Sequence, residues 1–547
     1  MYLFKARWSV THLFMRRFSR RTYGDAIAEL NSAIRNITFS KVVDHERMKR
    51  EKYGVVLSYL EALGISDLEL SNLHPVHVTG SKGKGSTCAA VEAGLRNLGF
   101  RTGLLSSPHL ISVEERIRID GKPIDRDRFS EVFWDIHDKI AKHVRTLALP
   151  PPSFLHYIVL MACHIFVSEK VGAAIFEVGI GGRFDHTNFL KQPAVTVVTN
   201  IALEHTDLLG PKLTDIAWRK AGIFKKACPA LIPEDLPADV MQVFVNEAKQ
   251  VECPLYMVPR LEDISLANGG LIIEDAEFAP LFRACSSDAM PLGVINLPCS
   301  LAVMELWLQS FGKVKQSHEI GLQPPLRLQV SRAQVQSAVT ARWPGRWQKV
   351  SRGKITFFID GAHTLESLQK TAEWFQYETS KEDSRPSARV LLFSLLGSRN
   401  PDTMLRLLRT VISPVFDLVV FVDPHDKQFV VFPGKRSLDA ECLETWEALK
   451  TETALIDEYG TTAYRVQDLS AFLCWLEQLR RFSRTTLSSY GEVIDKENVQ
   501  LLVPSPQTVA GACSVPVWDK QYASCHVLVT GSLYLVGATL KALNEPV

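Results

Sequence analysis

One segment restricts the fold more than any other, VHVTGSKGKGSTCAAVEAGL at residues 76–95. A short apolar run leads into a glycine-rich turn, and an alanine-rich run with helical spacing follows. Glycines let the backbone curl so that several N–H groups converge on phosphate oxygens, and the start of a helix presents its positive end to the same anion. The segment therefore predicts a strand, a phosphate-binding loop and a helix, which together are the first unit of an α/β sheet.

The loop also carries side chains suited to a nucleotide. Gly80, Gly83 and Gly85 would bring the backbone close to the phosphates, Lys84 would neutralise their charge, and Ser86 would supply a hydroxyl group. The spacing differs from the usual phosphate loop, because the glycines are closer together and Gly85 separates Lys84 from Ser86. The motif predicts phosphate binding, but it leaves kinases, GTPases and ligases open.

Short apolar runs alternate with helical segments along most of the chain. Examples are TGLLSS, AAIFEVG and VTVVTN in the first part, and ITFFIDG, ARVLLFSLLG, LVVFVD and CHVLVTGS in the second. Unbroken β-rich runs between helices indicate parallel strands that are buried on both faces. We therefore predict an α/β fold with a doubly wound, mainly parallel sheet in each part.

The chain has 547 residues, more than one hydrophobic core usually supports. We predict an N-terminal P-loop ATPase domain at residues 25–335 and a smaller C-terminal Rossmann-like α/β domain at residues 336–547. A polar stretch near residues 312–335 would link them, and residues 378–388 and 481–521 would form surface insertions.

The amino terminus has a different composition from the rest. Six lysines and arginines precede Gly24, no acidic residue occurs before Asp25, and apolar residues are interleaved. This composition is typical of a mitochondrial transit peptide, here residues 1–24, although a basic tail without targeting function has the same pattern. We expect the protein in the mitochondrial matrix, and a cytoplasmic form is also allowed.

The overall composition argues against several other classes of protein. The net charge of +2 creates no field that would attract nucleic acid, and no run of about 18 apolar residues could span a membrane. The ten cysteines form no CxxC pair, which favours reduced thiols in an intracellular protein. No motif suggests a subunit interface, so we expect a monomer.

Three potential metal ligands follow other predicted strands. Ser107 comes after TGLL, Glu177 ends AAIFE, and His205 lies beyond VTVV. Ligands of an open α/β sheet bind where parallel strands end, and Mg²⁺ takes one or two carboxylates together with phosphate oxygens. Glu177 is the natural ligand, whereas Ser107 and His205 taken singly are more typical of structural roles.

Taken together, these segments resemble the folylpolyglutamate synthases, which belong to the Mur-type amide ligase superfamily. The resemblance covers nearly everything after about residue 23, and the segments occur in the family's order. They are GSKGKGS, SSPHL, EERIRIDGKPI, FEVGIGGRFDHTN, LEHTDLLG, IAWRKAGIFK, RWPGR, DGAHT and VTGSLYLVG.

The resemblance implies roles for residues of the first part. Gly83–Ser86 would hold the phosphates of ATP, and Ser107, Glu177 and His205 would bind Mg²⁺, at two sites. Lys220 matches a lysine that is carbamylated in related ligases, with an ordinary lysine salt bridge as the alternative. A monovalent cation is also allowed by the resemblance.

It further implies roles for residues of the second part. Arg346 of WPGR would reach the phosphates from the C-terminal domain, Asp360 of DGAHT would contact the nucleotide, and His363 would lie beside the nucleotide and the incoming amino acid. With Lys84 and Lys220, His363 would complete the catalytic set.

The implied reaction is the ATP- and Mg²⁺-dependent addition of L-glutamate to the γ-carboxylate of reduced folates and their polyglutamates, through an acyl phosphate. It would belong to folate and one-carbon metabolism. A dihydrofolate synthase that joins glutamate to dihydropteroate is the first alternative. A nucleotide-binding regulator without catalytic activity is the second.

One loop departs from the family pattern. Relatives commonly have a His-Gln pair and then an asparagine near the adenine, whereas residues 293–299 place Ile295, Asn296 and Cys299 there. The resemblance therefore leaves the adenine contacts of this loop open.

Overall fold

The structure is a computed structural model of the chain. It describes residues 21–34, 45–267, 269–279, 296–311, 320–381, 387–397, 399–412, 416–423, 437–452, 461–478 and 522–547. These residues form two large mixed sheets and one small parallel pair. The predicted α/β class is confirmed.

The first part of the chain contributes the following elements: α1 (Tyr23–Ser32), α2 (His45–Ala62), α3 (Asp67–Asn72), β1 (Val76–Thr79), α4 (Lys84–Asn97), β2 (Thr102–Leu105), β3 (Ile117–Ile119), β4 (Lys122–Pro123), α5 (Arg126–Leu147), α6 (Phe154–Ser168), β5 (Ala173–Glu177), β6 (Val195–Val198), α7 (Thr206–Leu209), α8 (Leu213–Ala221), β7 (Ala230–Ile232), α9 (Ala238–Val251), β8 (Pro254–Met257), β9 (Ile264–Leu266), α10 (Leu297–Phe311), β10 (Gly321–Leu322), β11 (Leu328–Val330) and α11 (Arg332–Thr340).

Nine of these strands form the first sheet, in the order β10-β8-β7-β6-β1-β5-β2-β3-β4. All neighbours are parallel except β2 with β3 and β3 with β4, which are antiparallel. The central strand β1 is flanked by β5 and β6, with Val78 opposite Glu177 and Thr79 opposite Val198. The carboxyl ends of three strands that precede predicted site residues therefore meet at one edge.

The second part contributes β12 (Gln348–Arg352), β13 (Ile355–Ile359), α12 (Leu365–Ser380), β14 (Ser387–Phe393), α13 (Pro401–Val411), β15 (Leu418–Val422), α14 (Asp439–Glu452), β16 (Thr462–Val466), α15 (Leu469–Gln478), β17 (Ser524–Thr530) and α16 (Leu533–Ala542). Their order in the second sheet is β12-β13-β17-β14-β15-β16, and only β12 with β13 is antiparallel.

Both sheets are buried on both faces, as the unbroken apolar runs predict. In the first sheet, Phe176 packs with α5 and α6, and its neighbour Ile175 packs on the opposite face with α4 and α10. In the second sheet, Phe357 and Phe358 divide between the two faces in the same way. Successive side chains of a strand point to opposite faces, so both must be apolar when helices cover both sides.

Helix α11 crosses the predicted boundary between residues 335 and 336. Its buried Val335 and Ala338 belong to the apolar cluster of the first sheet, on the same face as α4. No helix in the described ranges is long and apolar enough to cross a membrane. Of the predicted transit peptide only residues 21–24 lie within the described residues, and the whole 481–521 insertion and Ile295 lie outside them.

Candidate active site

The phosphate loop connects β1 to α4 and is fixed by its neighbours. Lys84 Nζ donates to the carbonyl of Gly80 at 2.8 Å, and Thr199 Oγ1 donates to the carbonyl of Lys82 at 2.6 Å. Gly83 has a φ of +82°, a left-handed conformation that costs glycine little, and α4 begins directly after it. The first N–H groups of α4, from Lys84, Gly85 and Ser86, therefore lie at the carboxyl end of the loop.

Glu177 and Ser107, two of the predicted metal ligands, lie side by side where β5 and β2 end. The Ser107 backbone N–H donates to Glu177 Oε2 at 2.9 Å. Glu177 is only 6% exposed, and burial raises the pKa of its carboxyl, although the charges of Lys84 and Arg346 act in the opposite direction. The arrangement provides an acid whose charge is best stabilised by a cation.

A small cavity of about 40 Å³ brings residues of the two sheets together; we call it the catalytic cavity. Its lining includes Gly85, Ser107 and Glu177 from the first sheet and Trp343 and Arg346 from the segment that enters the second. Arg346, predicted to reach across the domains, thus faces the same space as the predicted metal ligands.

The segment after β13 places Asp360 beside this arginine. Asp360 Oδ1 accepts hydrogen bonds from the Ala362 N–H at 2.8 Å and from Thr371 Oγ1 at 2.9 Å, and Oδ2 accepts one from the Trp347 N–H at 3.1 Å. Burial raises the pKa of this carboxyl, and the charge of Arg346 opposes that rise. Two of the three hydrogen bonds of Asp360 thus hold backbone, at Trp347 next to Arg346 and at Ala362.

His363 lies two residues beyond Gly361, whose carbonyl is 3.0 Å from His363 Nδ1. Burial and the nearby charge of Lys82 lower the pKa of its imidazole to about 3. The ring is therefore neutral at physiological pH, and its pKa is affected by a lysine of the first sheet's phosphate loop.

Helix α8 buries Lys220 against Glu204. The Lys220 side chain is 1% exposed and its Nζ is 3.2 Å from Glu204 Oε1. Burial and the charge of Lys84 lower the pKa of Lys220 to about 7, although Glu204 acts in the opposite direction. Lys82 Nζ lies 3.9 Å from the other oxygen of the same carboxylate. Near neutral pH, Lys220 is therefore partly an uncharged amine.

His205, the third predicted metal ligand, occupies a different environment. It precedes α7 in a left-handed conformation with φ +46°, and its side chain is exposed. Ser107 and Glu177 both line the catalytic cavity, whose lining does not include His205. In this arrangement of the described residues, the predicted metal ligands Ser107 and Glu177 lie together, and His205 is more exposed.

Several residues of the site were not predicted, although each lies in a segment quoted in the sequence analysis. Lys82 and Glu204 join the Lys220 cluster, Thr199 anchors the phosphate loop, and Trp343 lies against Gly85. A Cβ atom on Gly85 would be 2.7 Å from Trp343 Nε1, so only glycine fits there without movement. The partners of these residues are far away in sequence, so their contacts could not be predicted. Thr199 and Glu204 both follow the buried strand β6, and this was the feature that could have indicated a place in the site.

Asn296 is the first described residue of the atypical 293–299 loop. Its Oδ1 is 3.5 Å from Thr87 Oγ1 in the first turns of α4, and it lies close to Gly83. Cys299 is buried within α10. An amide group therefore remains beside the phosphate loop despite the unusual sequence.

Across the described ranges, no group of three or more histidine, cysteine, aspartate or glutamate side chains could hold a metal ion alone. The pair Glu177 and Ser107 suits Mg²⁺, because this ion binds through one or two carboxylates and completes its coordination with phosphate and water oxygens. A phosphate loop on one α/β sheet that faces an arginine and a buried acid from another defines a nucleotide-phosphate-binding protein with a site between two sheets.

Comparison with known proteins identifies the family. The chain is 33% identical over 559 residues to a mitochondrial folylpolyglutamate synthase of Bos taurus, covering 95% of this chain and 92% of the relative. It is 29% identical over 541 residues to a folylpolyglutamate synthase of Arabidopsis thaliana, covering 95% and 89%. A search of protein-family models found no match.

Solved structures have the same fold. The Mycobacterium tuberculosis folylpolyglutamate synthase complexed with ADP has a TM-score of 0.63 at 22% identity, covering 96% of this chain and 98% of that one. A bifunctional folylpolyglutamate synthase/dihydrofolate synthase from Yersinia pestis has a TM-score of 0.58 at 20% identity, covering 96% and 98%. The chain belongs to the folylpolyglutamate synthase family, which confirms the resemblance identified from its motifs.

Proposed function

We propose that this chain is an ATP-dependent ligase that adds L-glutamate to the γ-carboxylate of reduced folates and of their polyglutamates. The observation that carries the proposal is the 33% identity to a folylpolyglutamate synthase over 95% of the chain. The catalytic cavity supports it, because Glu177, Ser107 and Arg346 surround one space beside the phosphate loop.

Activation of the folate carboxylate is the first step that these residues would serve. A carboxylate is a poor electrophile, so its oxygen attacks the γ-phosphorus of ATP, and ADP leaves as the acyl phosphate forms. Charge develops on the transferred phosphoryl group, and donors placed where charge develops lower the barrier. The N–H groups of Gly83–Ser86, the ammonium of Lys84 and the fork of Arg346 would fill this role.

We assign Glu177 and Ser107 to Mg²⁺, with His205 as a ligand at a second position. Glu177 Oε2 already accepts one N–H, and the carboxylate retains acceptor capacity on its other oxygen. When bound, Mg²⁺ would offset the charge of the ATP phosphates. A monovalent cation stays part of the proposal on the resemblance alone.

We assign Lys220 as a carbamylated lysine. Its pKa of about 7 leaves part of the side chain as an uncharged amine, the form that can attack carbon dioxide. The product would be an anion beside Glu204, with Lys82 and Lys84 as nearby cations. Incubation with ¹³C-bicarbonate should give a carbamate carbon signal by NMR that is absent from Lys220→Arg, and an identical spectrum for both proteins would contradict the assignment.

Amide formation follows when the amine of glutamate attacks the acyl phosphate and phosphate leaves. Asp360 would contact the nucleotide mainly through the backbone that it holds. The attacking amine must be neutral. His363, with a pKa of about 3, is a weak base in this arrangement, so we assign it to orienting the amine through the ring nitrogen that does not face Gly361.

We extend the proposal to the organisation and location of the chain. We propose a transit peptide over residues 1–24, domains at residues 25–335 and 336–547, and a monomer. The mitochondrial names of the relatives from Bos taurus and Homo sapiens support delivery to mitochondria, and a cytoplasmic form stays part of the proposal. Fluorescence from a reporter fused to residues 1–40 tests the targeting, since a diffuse cytosolic signal would contradict it.

The activity itself has a direct test. Purified protein with ATP, Mg²⁺, tetrahydrofolate and radiolabelled L-glutamate should form folates with additional glutamates, separated by chromatography. Addition of glutamate only to dihydropteroate would favour a dihydrofolate synthase. ATP binding without either product would favour a regulator, and each of these outcomes would overturn the proposed substrate or activity.

A further inference from the structure

A second cavity of about 320 Å³ lies along α4, next to the catalytic cavity. Arginines approach it from three elements: Arg96 from α4, Arg118 from β3, and Arg342 from the segment after α11. Glu92 and Trp343 also line it, and we call this space the arginine cavity. Neither the phosphate loop nor the predicted metal ligands line it.

The arginine cavity has an excess of positive charge. Among the described residues that line it, Glu92 is the only carboxylate, and it already accepts hydrogen bonds from Thr102 Oγ1 at 2.6 Å and from Arg96 Nε at 2.8 Å. The charges of Glu115 and Glu92 both act on Arg118, but Glu115 accepts three backbone N–H groups and lies outside this lining, so three arginines face one carboxylate in the cavity. A cavity of this charge favours an anion.

Arg118 is the strongest indication of a ligand. The residue is 8% exposed, and its Nε has no hydrogen-bond partner among the residues that the structure describes. One terminal nitrogen donates to the carbonyl of Gly121 at 3.3 Å. A buried guanidinium donor without a partner is costly, and an oxyanion in the cavity would satisfy it.

The arginine cavity adjoins the catalytic cavity through two shared residues. Arg118 and Trp343 line both spaces, and the Arg118 guanidinium carbon is 5.1 Å from the centre of a Trp343 ring. Trp343 also lies against Gly85 of the phosphate loop. A ligand in the arginine cavity would therefore lie next to the reacting carboxylate's site.

We propose that the arginine cavity binds the carboxylates of the γ-glutamyl tail that earlier cycles have added to the folate. Each cycle leaves one more carboxylate on the tail, so the substrate becomes more anionic as it grows. The planar fork of arginine matches a carboxylate with two hydrogen bonds. A volume of 320 Å³ is at the lower end of ordinary small-ligand sites, about 300–1,000 Å³. The inference rests on the proposed function.

The first test compares substrates of different tail length. Arg342→Gln should raise KM for a folate tetraglutamate by about 10-fold, since a charge-assisted hydrogen bond is lost, and should change KM for the monoglutamate by less than about twofold. KM for ATP should stay unchanged, and the products should be shorter. Arg260→Gln is the matched control, because this arginine is exposed and pairs with Glu234 on the surface. An equal change for both folates, an altered KM for ATP, or no change would overturn the inference.

The second test removes the reaction and the pterin. Calorimetry with tetra-γ-glutamate alone should show binding to the wild-type protein that weakens about 10-fold in Arg342→Gln. Inorganic phosphate serves as a second probe, and equal dependence of both ligands on Arg342 would indicate a general anion site and overturn the tail assignment. If the wild-type protein binds tetra-γ-glutamate but does not extend the glutamate tail of folates, the proposed function is contradicted and this inference still holds.

Discussion

The two sheets hold their buried acids in different ways. Glu177 of the first sheet accepts one backbone hydrogen bond, from Ser107, whereas Asp360 of the second accepts two backbone hydrogen bonds, from Trp347 and Ala362, and a third from the Thr371 hydroxyl. Burial raises the pKa of both carboxyls, and Arg346 lowers both. Glu177 therefore retains acceptor capacity for a ligand, whereas Asp360 mainly holds the protein's own backbone.

Replacing Glu177 should produce the largest loss of activity. Glu177→Gln keeps the shape but removes the charge proposed to bind Mg²⁺, so we expect turnover to fall by about 100-fold or more at saturating ATP, with little change in melting temperature. Glu247→Gln is the control, because Glu247 is a buried acid that pairs with Arg183 away from the site. Near-normal turnover of Glu177→Gln would remove the metal assignment.

Replacing Asp360 should instead reduce stability. In Asp360→Asn one oxygen becomes an NH₂ group, which cannot accept from the Trp347 or Ala362 N–H. Leaving a buried donor unsatisfied costs about 1–3 kcal/mol of unfolding free energy. Urea denaturation should show this loss, and turnover should fall less than in Glu177→Gln. The opposite pattern, full stability with the larger loss of turnover, would place Asp360 in direct contact with the nucleotide.

Acid should destabilise both regions through their buried histidines. Burial lowers the pKa of His77 in β1 and of His363 in the second sheet to about 3. The unfolded chain binds a proton near pH 6.5 and the folded chain does not, so this stability is present above pH 6.5 and is lost as the pH falls toward 3. For His77 the loss between pH 7 and pH 5 is about 2 kcal/mol.

Thermal unfolding at pH 7 and pH 5 measures this effect. His77→Gln should reduce the difference between the two melting temperatures, because glutamine does not titrate. His137→Gln is the comparison, since His137 is partly exposed next to Asp138. A pH dependence that is unchanged in His77→Gln would show that other groups determine it.

The smallest expected effect concerns residues 21–24, at the end of the predicted transit peptide. Arg21 pairs with Asp138 at 2.8 Å, the Tyr23 ring packs on Phe129 with centroids 6.0 Å apart, and the Thr22 side chain accepts a hydrogen bond at the start of α1. Loss of a helix cap and an aromatic pair costs about 1–2 kcal/mol.

We therefore expect a protein without residues 1–24 to melt at a lower temperature than one without residues 1–20. Tyr23→Phe in the longer form is the matched control, because it keeps the ring contact. Equal melting temperatures for the two truncations would show that residues 21–24 add nothing to the folded protein.

The sequence predicts local features of this fold well. Apolar runs mark the strands, and the glycine motif marks the loop. Helix α4 begins at Lys84, directly after Gly83, whose left-handed conformation ends the loop. Local chemistry decides these features, so they can be found without knowing the rest of the chain.

Contacts between distant segments were beyond the reach of the sequence pattern. Lys82 and Lys220 share the carboxylate of Glu204, and Trp343 reaches Gly85, although nothing local marks these pairings. The pattern also grouped His205 with Ser107 and Glu177. β6 already ends at Val198, however, so the position of His205 depends on the loop that follows and not on strand register.

Gly85 has a consequence for how the two sheets meet. Because Trp343 lies against it, the thickness of one hydrogen atom sets the distance at which the segment leading into the second sheet approaches α4. A methyl group at position 85 would push the Trp343 indole away from α4. Because this indole lines both cavities, their shapes would change as well. Gly85, which has no side chain, thus allows the close approach between α4 and the segment that leads into the second sheet.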